Sequence, residues 1–358
     1  MDDYDYDPTT KHLRLNEKFT LNTTGVWYFF LAQCNHTHTA LVNGIIQWKN
    51  PYGYLSGLLF PYLPMYICLS IAFLALLLVW SFFLVKYREN LMGLQHAVTA
   101  TLSFALIENV LWSYDYISYN IQGDISNPVN MVGALLTTGK LTTIRTLILL
   151  VAIGYSITVP TLESKVKIYV VALTVTYAIA SAVEEYVWVI KTMALDFPEP
   201  LEIVVQLVLV LTNFVYVGWV GYSLYHQYKK LTEEKQTQKM SMYKTFITAL
   251  VVFILISGIL YFLQITFVIL NLRDDYWQVW WFWDAYWEVG YFLVVLLIAY
   301  LWWPNENNER YAYSLQLQNE DDNELADLED DDSPPVQPLE VNESDEPKEL
   351  KNSHSDSE

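Results

Sequence analysis

The chain has 358 residues, 53% of them hydrophobic and 16% aromatic, a composition that excludes an ordinary soluble protein of several domains. Its formal charge of −19 is concentrated at one end: Pro304 to Glu358 hold 18 acidic and 3 basic residues, and the rest of the chain is almost neutral. Acidity is thus the property of one appendage, and no basic surface points to a nucleic-acid partner.

Residues 1–57 are polar to mixed. Met1 to Asp7 is acidic and has no apolar core before a cleavage site, so no secretory signal is visible; either the first membrane helix acts as the targeting signal or the true start of the gene lies upstream. Asn22-Thr23-Thr24 and Asn35-His36-Thr37 are glycosylation acceptors, at Asn22 and Asn35. Val26 to Leu31 and Leu41 to Trp48 read as two short strands, too little to stand alone. The two cysteines are Cys34, in this segment, and Cys68, in the first apolar run, so a disulfide between them is not expected.

Leu58 to Val85 has no charged residue in 28 positions, more than the roughly 20 a spanning helix needs. Further spans are expected at Met92 to Ile117, Met131 to Val159, Val166 to Ile190, Leu201 to Tyr225, Tyr243 to Leu270 and Trp277 to Trp303. The fold class is therefore an all-α polytopic membrane protein, a seven-transmembrane helix bundle over 58–303. A short β-rich segment precedes it at 1–57. The acidic tail, 304–358, is rich in Asp, Glu, Ser and Pro and is expected to be disordered. Its run from Glu329 to Ser333 reads either as solvated chain or as a cytosolic sorting signal.

With the N-terminus outside, the inward loops hold Lys86, Arg88, Lys165, Lys167, Lys229, Lys230, Lys235, Lys239 and Lys244, against Lys191 and Arg273 outside. That bias puts the leading segment in the lumen or outside the cell and the tail in the cytosol. The dense Trp and Tyr at Tyr276 to Trp283 suit an aromatic belt at the outer interface.

The third span carries Lys140 and Arg145 well inside. A cation at bilayer depth costs about 2.5–3.5 kcal/mol on insertion scales unless it faces protein or water. At ~100° per residue the two point about 140° apart, so one neighbour cannot shelter both and the helix is expected at the centre of the bundle. Counted from the cytosolic helix ends at ~1.5 Å per residue, Glu108, Lys140, Glu184, Glu185 and Asp284 fall at one level in the outer half, with Arg145 and Glu288 slightly deeper. Asp284 and Glu288, at i and i+4, share a helical face.

Two readings follow. In the first, Glu108 and Asp284 neutralise Lys140 and Arg145 and fix helix packing. In the second, five acids against two bases form an outward-opening polar cavity that holds a cation, an amine or a lipid head group, or passes ions. Enzyme chemistry is not supported: the six histidines lie at helix ends or outside the spans, and no HExxH, P-loop or GxSxG pattern is present. No cofactor is implied. The last span has no lysine for a retinal Schiff base, and the rhodopsin-type triplet and Asn-Pro-x-x-Tyr positions read GYSIT and LIAYLWWP.

Several segments carry a family likeness: KNPYGYLSG (Lys49 to Gly57), FALIENVLWSYDY (Phe104 to Tyr116) and KLTTIRTLILLVAIGYSITVPTL (Lys140 to Leu162). KMSMYKTF (Lys239 to Phe246), WDAYW (Trp283 to Trp287) and NNERYAY (Asn307 to Tyr313) complete the set. With these in order on seven spans, the chain resembles the lung seven-transmembrane receptor domain family, also called GOLD-domain seven-helix proteins, and most of all its Golgi branch with fungal relatives. The resemblance implies a Golgi or endosomal membrane protein acting in retrograde endosome-to-Golgi transport, with receptor, lipid-binding and cation-channel roles proposed for relatives. Its implied partners are membrane lipids and trafficking machinery met through the cytosolic tail. Glu108, Lys140, Arg145 and Asp284 occupy the family's polar helix positions. The family's luminal GOLD β-sandwich precedes the first helix, whereas VWYFFLAQCN (Val26 to Asn35) resembles only its closing strand, so Cys34 would lack its disulfide partner. Either the sequence starts inside that domain or this member lacks a working one.

Overall fold

A computed structural model of the chain describes residues 4–7, 12–15, 18–30, 46–123, 127–158, 161–192, 198–270, 272 and 275–304. Its elements are strands β1 (Tyr4–Asp7) and β2 (His12–Leu15), then helices α1 (Tyr62–Lys86), α2 (Gly93–Gln122), α3 (Asn127–Ile153) and α4 (Ser164–Thr192), followed by α5 (Glu199–Glu233), α6 (Thr237–Ile269) and α7 (Trp281–Leu301). The acidic tail, its Glu329 to Ser333 run, Cys34 and Asn35 lie outside the described residues.

The leading segment differs from the expectation. β1 and β2 pair antiparallel, with Tyr4 opposite Leu15 and Asp7 opposite His12, upstream of the stretches expected to be strands. Val26 to Phe30 forms no strand, and all five side chains are exposed; Leu31 lies outside the described residues. Within Leu41 to Trp48, residues 41–45 lie outside the described residues, and 46–48 form no strand.

Six of the helices are long and apolar enough to cross a membrane. The exception, α2, is polar for a structural reason: its buried residues include Gln95, Thr101, Glu108, Asn109 and Ser113. A helix that places amides and a carboxylate toward its neighbours reads as less apolar than one facing lipid. The helices pack as a ring in which each touches the next and α7 returns to α1, while α3 also touches α5 and α2 also touches α7. The span within α3 is 44% buried, against 17–33% for the other five, so α3 is the innermost of these.

Two apolar clusters lie on either side of α3. The larger takes Ile144, Leu147 and Val151 from α3, with Phe73, Trp80, Leu102, Phe246 and Ile298 among its members. The smaller takes Leu149 from α3 with Val170, Tyr177, Ala180, Leu209 and Tyr216 from α4 and α5. Within lipid such contacts stabilise through close packing and not through water exclusion, since the tails are as apolar as the side chains. α3 thus contributes to both cores, as does α5, whose Leu224 and Leu231 join the larger one.

Helix ends decide the height of every polar group. α3 stops at Ile153, not Val159, because Gly154 takes a left-handed φ of 83°. Tyr155 N–H then donates to Leu150 O at 3.0 Å and Gly154 N–H to Val151 O at 3.0 Å, the paired bonds of a Schellman cap. At the outer end, Gly123 closes α2 with φ 80° beneath the Tyr54 ring.

The pre-helix stretch forms a clasp on that end. Asn120 donates from Nδ2 to Tyr52 O (2.9 Å) and accepts from Leu55 N–H at Oδ1 (3.2 Å), while its carbonyl accepts from Tyr54 N–H (3.0 Å). Leu55 is completely buried beneath the clasp. Asn50 adds a bond from Nδ2 to Leu55 O at 2.7 Å.

Candidate functional site

Lys140 is the central residue of α3 and faces α2 and α7. Its ammonium lies 2.9 Å from Glu108 Oε1 and 2.9 and 2.8 Å from the two carboxylate oxygens of Glu288. A lysine has three N–H donors, and here all three have carboxylate acceptors. Lys140 and Glu108 are each 1% exposed, and the Glu288 side chain is 19% exposed.

Each partner is itself held. Glu108 accepts from Thr137 Oγ1 at 3.1 Å on its first oxygen and from Asn109 Nδ2 at 3.1 Å on its second. Trp112 Nε1 donates to Thr137 Oγ1 at 3.2 Å, fixing that hydroxyl. The Tyr291 ring lies 5.4 Å from the ammonium, and its hydroxyl donates to Lys140 O at 3.4 Å. Two carboxylates on one ammonium give the trio a formal charge of −1.

Asp284, one turn nearer the outer end of α7, does not reach Lys140. It accepts a hydrogen bond from the Tyr62 hydroxyl of α1, whose ring stacks on Tyr116 at 5.9 Å; Tyr116 in turn stacks on Tyr66 at 5.7 Å. The face shared by Asp284 and Glu288 therefore serves two neighbours, α1 above and α3 below.

Arg145 faces the other way, toward α4 and α5. Its Nε donates to Asn213 Oδ1 at 3.0 Å, one Nη donates to Leu141 O at 3.1 Å, and its guanidinium carbon lies 4.4 Å from the centre of the Tyr177 ring. Among the described residues no carboxylate comes within ion-pair distance of it.

The seven residues singled out in the sequence thus do not converge: five of them separate into three places, and Glu184 and Glu185 stand apart on α4. Glu108, Lys140 and Glu288 meet; Asp284 joins Tyr62; Arg145 has neutral partners. Glu184 is exposed and Glu185 half-buried on α4, and neither forms an ion pair with Lys140 or Arg145. The expected pairing of Asp284 with these cations is corrected to Glu288 with Lys140 alone. The expected single level in the outer half is corrected as well. Because α3 ends six residues earlier than its apolar run, heights counted from that run overstate Lys140 by about 9 Å at ~1.5 Å per residue. Sequence reasoning missed Tyr62, Tyr177, Asn213 and Tyr291, whose neutral side chains carry no charge signal. Asn22 lies in an exposed stretch. Among the described residues no group of three His, Cys, Asp or Glu side chains is placed to hold a metal ion.

This arrangement of seven helices, with a lysine held at their centre, can be set beside known proteins. Residues 61–309 match the domain described as GOST, seven transmembrane domain, a span that starts just before α1 and ends beyond α7. The chain belongs to the GOST seven-transmembrane family. Among its GOST relatives, Transmembrane protein 87A of Xenopus tropicalis is 28% identical over 279 residues, 77% of this chain and 50% of that protein. Transmembrane protein 87B of Mus musculus is 26% identical over 286 residues, 78% of this chain and 50% of that protein. Membrane protein PTM1 of Saccharomyces cerevisiae (strain YJM789) is 28% identical over 331 residues, 87% of this chain and 61% of that protein. This GOST chain therefore spans about half the length of its vertebrate relatives and somewhat more of the yeast one.

Proposed function

We propose that the protein is a multi-pass membrane protein of the Golgi apparatus and endosomes that supports retrograde endosome-to-Golgi transport. The observation that carries this reading is membership of the GOST family across all seven helices, joined to the motif likeness to the Golgi branch with fungal relatives. In this reading residues 1–57 are luminal and glycosylated at Asn22 and Asn35, and the tail is cytosolic, where it meets trafficking machinery. The clustered exposed cations support that orientation: Arg88 after α1, Lys165 and Lys167 at the start of α4, Lys229 and Lys230 at the end of α5, Lys235 in the turn that follows and Lys244 near the start of α6 all lie at one end of the bundle.

The trio of Glu108, Lys140 and Glu288 supports a structural part for the core in this role. It joins α2, α3 and α7 at mid-bundle with every ammonium proton engaged, which ties three helices into one register. Tagging the chain at its own locus and following a cycling cargo in deletion cells tests the reading. Signal on Golgi and endosomal membranes, with slowed return of cargo to the Golgi, is expected. Signal confined to the plasma membrane with unchanged recycling contradicts it.

One observation favours a second reading, a cation-conducting or small-ligand-binding protein. The trio carries a surplus negative charge, and exposed Asp284 stands one turn above it. Currents in reconstituted bilayers that fall in Glu108→Gln and Asp284→Asn support that role, and bilayers with no current in any variant remove its conducting form.

A further inference from the structure

Tyr4 and Tyr6 stand in a sequence context that no other tyrosine of the chain shares. Asp3 and Asp5 flank the first, Asp5 and Asp7 flank the second, Asp2 lies just beyond, and no cation occurs before Lys11. Of the 27 tyrosines these two alone have an acidic residue at both neighbouring positions. Tyr114, Tyr116, Tyr186 and Tyr276 have one on a single side.

The fold separates the two from those four. Tyr114 and Tyr116 belong to α2 and Tyr186 to α4, and a helical backbone cannot be read as an extended peptide. Tyr276 caps the short 3₁₀ turn that leads into α7, and its ring packs on Phe267 at 5.6 Å. Tyr4 and Tyr6 lie instead in β1, whose backbone is extended and which pairs on one edge only, with β2. A two-stranded hairpin is marginally stable at best in water, so β1 offers an open edge and separates readily from its neighbour. At i and i+2 the two tyrosines fall on one face of the strand, with Asp5 and Asp7 on the other.

We propose that Tyr4 and Tyr6 are sulfation sites, modified by a luminal sulfotransferase that reads the flanking carboxylates through a basic peptide groove. The proposal rests on the reading above, since it needs residues 1–57 in the Golgi lumen. In the step, the phenol oxygen attacks the sulfur of a nucleotide phosphosulfate. The new oxygen–sulfur bond forms as the bond from sulfur to the bridging phosphate oxygen breaks; the phenol proton passes to a base of the transferase, and the nucleotide leaves with its phosphate. An acidic strand suits such an enzyme because an electropositive cleft concentrates and orients a peptide of opposite charge. The product is the anion of a strong acid. It stays charged where Asp, with an ordinary pKa of about 3.9, begins to take up protons, so the leading strand then carries charge that luminal acidity does not remove.

The test expresses the full chain, with an epitope inserted at the exposed position after Lys18, in cells that have an active luminal tyrosine sulfotransferase and are fed radioactive sulfate. Protease added to intact Golgi vesicles reports the side on which the epitope lies. Alkaline hydrolysis of the purified chain, followed by separation of the amino acids, reports sulfotyrosine apart from any sulfated sugar. The proposal expects a protected epitope and sulfotyrosine that is lost in Tyr4→Phe/Tyr6→Phe and falls by about tenfold or more in Asp3→Asn/Asp5→Asn/Asp7→Asn. Both variants lie outside the bundle, and a protected epitope in each shows that the chain still inserts. A protected epitope without sulfotyrosine, or sulfotyrosine unchanged in either variant, overturns the site and leaves the trafficking reading standing. An epitope open to the protease overturns the orientation in that reading, and the site with it.

Discussion

Lys140 and Arg145 lie five residues apart on one helix and are stabilised in opposite ways. The first holds two carboxylates within 3 Å; the second holds an asparagine, a carbonyl and a tyrosine ring. The difference follows from which core each faces: the larger cluster is built mainly from α1, α2, α6 and α7 with Leu224 and Leu231 of α5, and the smaller one from α4 and α5.

Asp284 and Glu288 share a face of α7 and carry the same charge, yet their removal has unequal cost. Glu288→Gln loses a bidentate charged contact to a buried ammonium and lowers unfolding stability by about 1–3 kcal/mol. Asp284→Asn still accepts from the Tyr62 hydroxyl and costs under about 1 kcal/mol. Thermal or denaturant unfolding in detergent ranks the two, and equal losses contradict the assignment of Glu288 as the partner.

The clasp on α2 depends on one side chain. Asn120→Ala removes the bonds to Tyr52 O and Leu55 N–H but leaves the backbone bond from Tyr54. Hydrogen exchange at the Leu55 amide is expected to rise by about tenfold, a local loss of ~1.4 kcal/mol, with α4 and α5 unaffected. Unchanged exchange over 52–57 means the clasp is held by packing alone.

Gly154 ends α3 at a φ of 83°, and a Cβ there meets the Thr158 and Gln227 side chains. Gly154→Ala therefore combines a left-handed backbone cost of about 1–2 kcal/mol with a steric one, and a fall in unfolding midpoint measures it. An unchanged midpoint contradicts the cap.

Much of this was legible in the chain. A lysine and an arginine within an apolar run demand an interior helix, and α3 has the largest buried share among the six apolar spans. The pairing was less legible, because it depends on where helices stop. Gly154 ends α3 before its apolar pattern does, so heights counted from that pattern favoured Asp284 over Glu288. The partners of Arg145 were invisible because Asn213 and Tyr177 are neutral, and a search for charge complements passes over them. The run at Val26 to Phe30 has strand composition without a strand, since β propensity reflects context more than intrinsic backbone preference.

The central claim, that Lys140 is charged and clamped by acids from α2 and α7, is tested most directly by a double-mutant cycle on Lys140→Met and Glu288→Gln, read by reversible unfolding in detergent. Breaking a buried pair from one side costs about 3–5 kcal/mol, so the two changes are predicted to couple by about 2 kcal/mol or more, the double variant losing far less than the sum. Strictly additive losses would mean that the two groups do not interact.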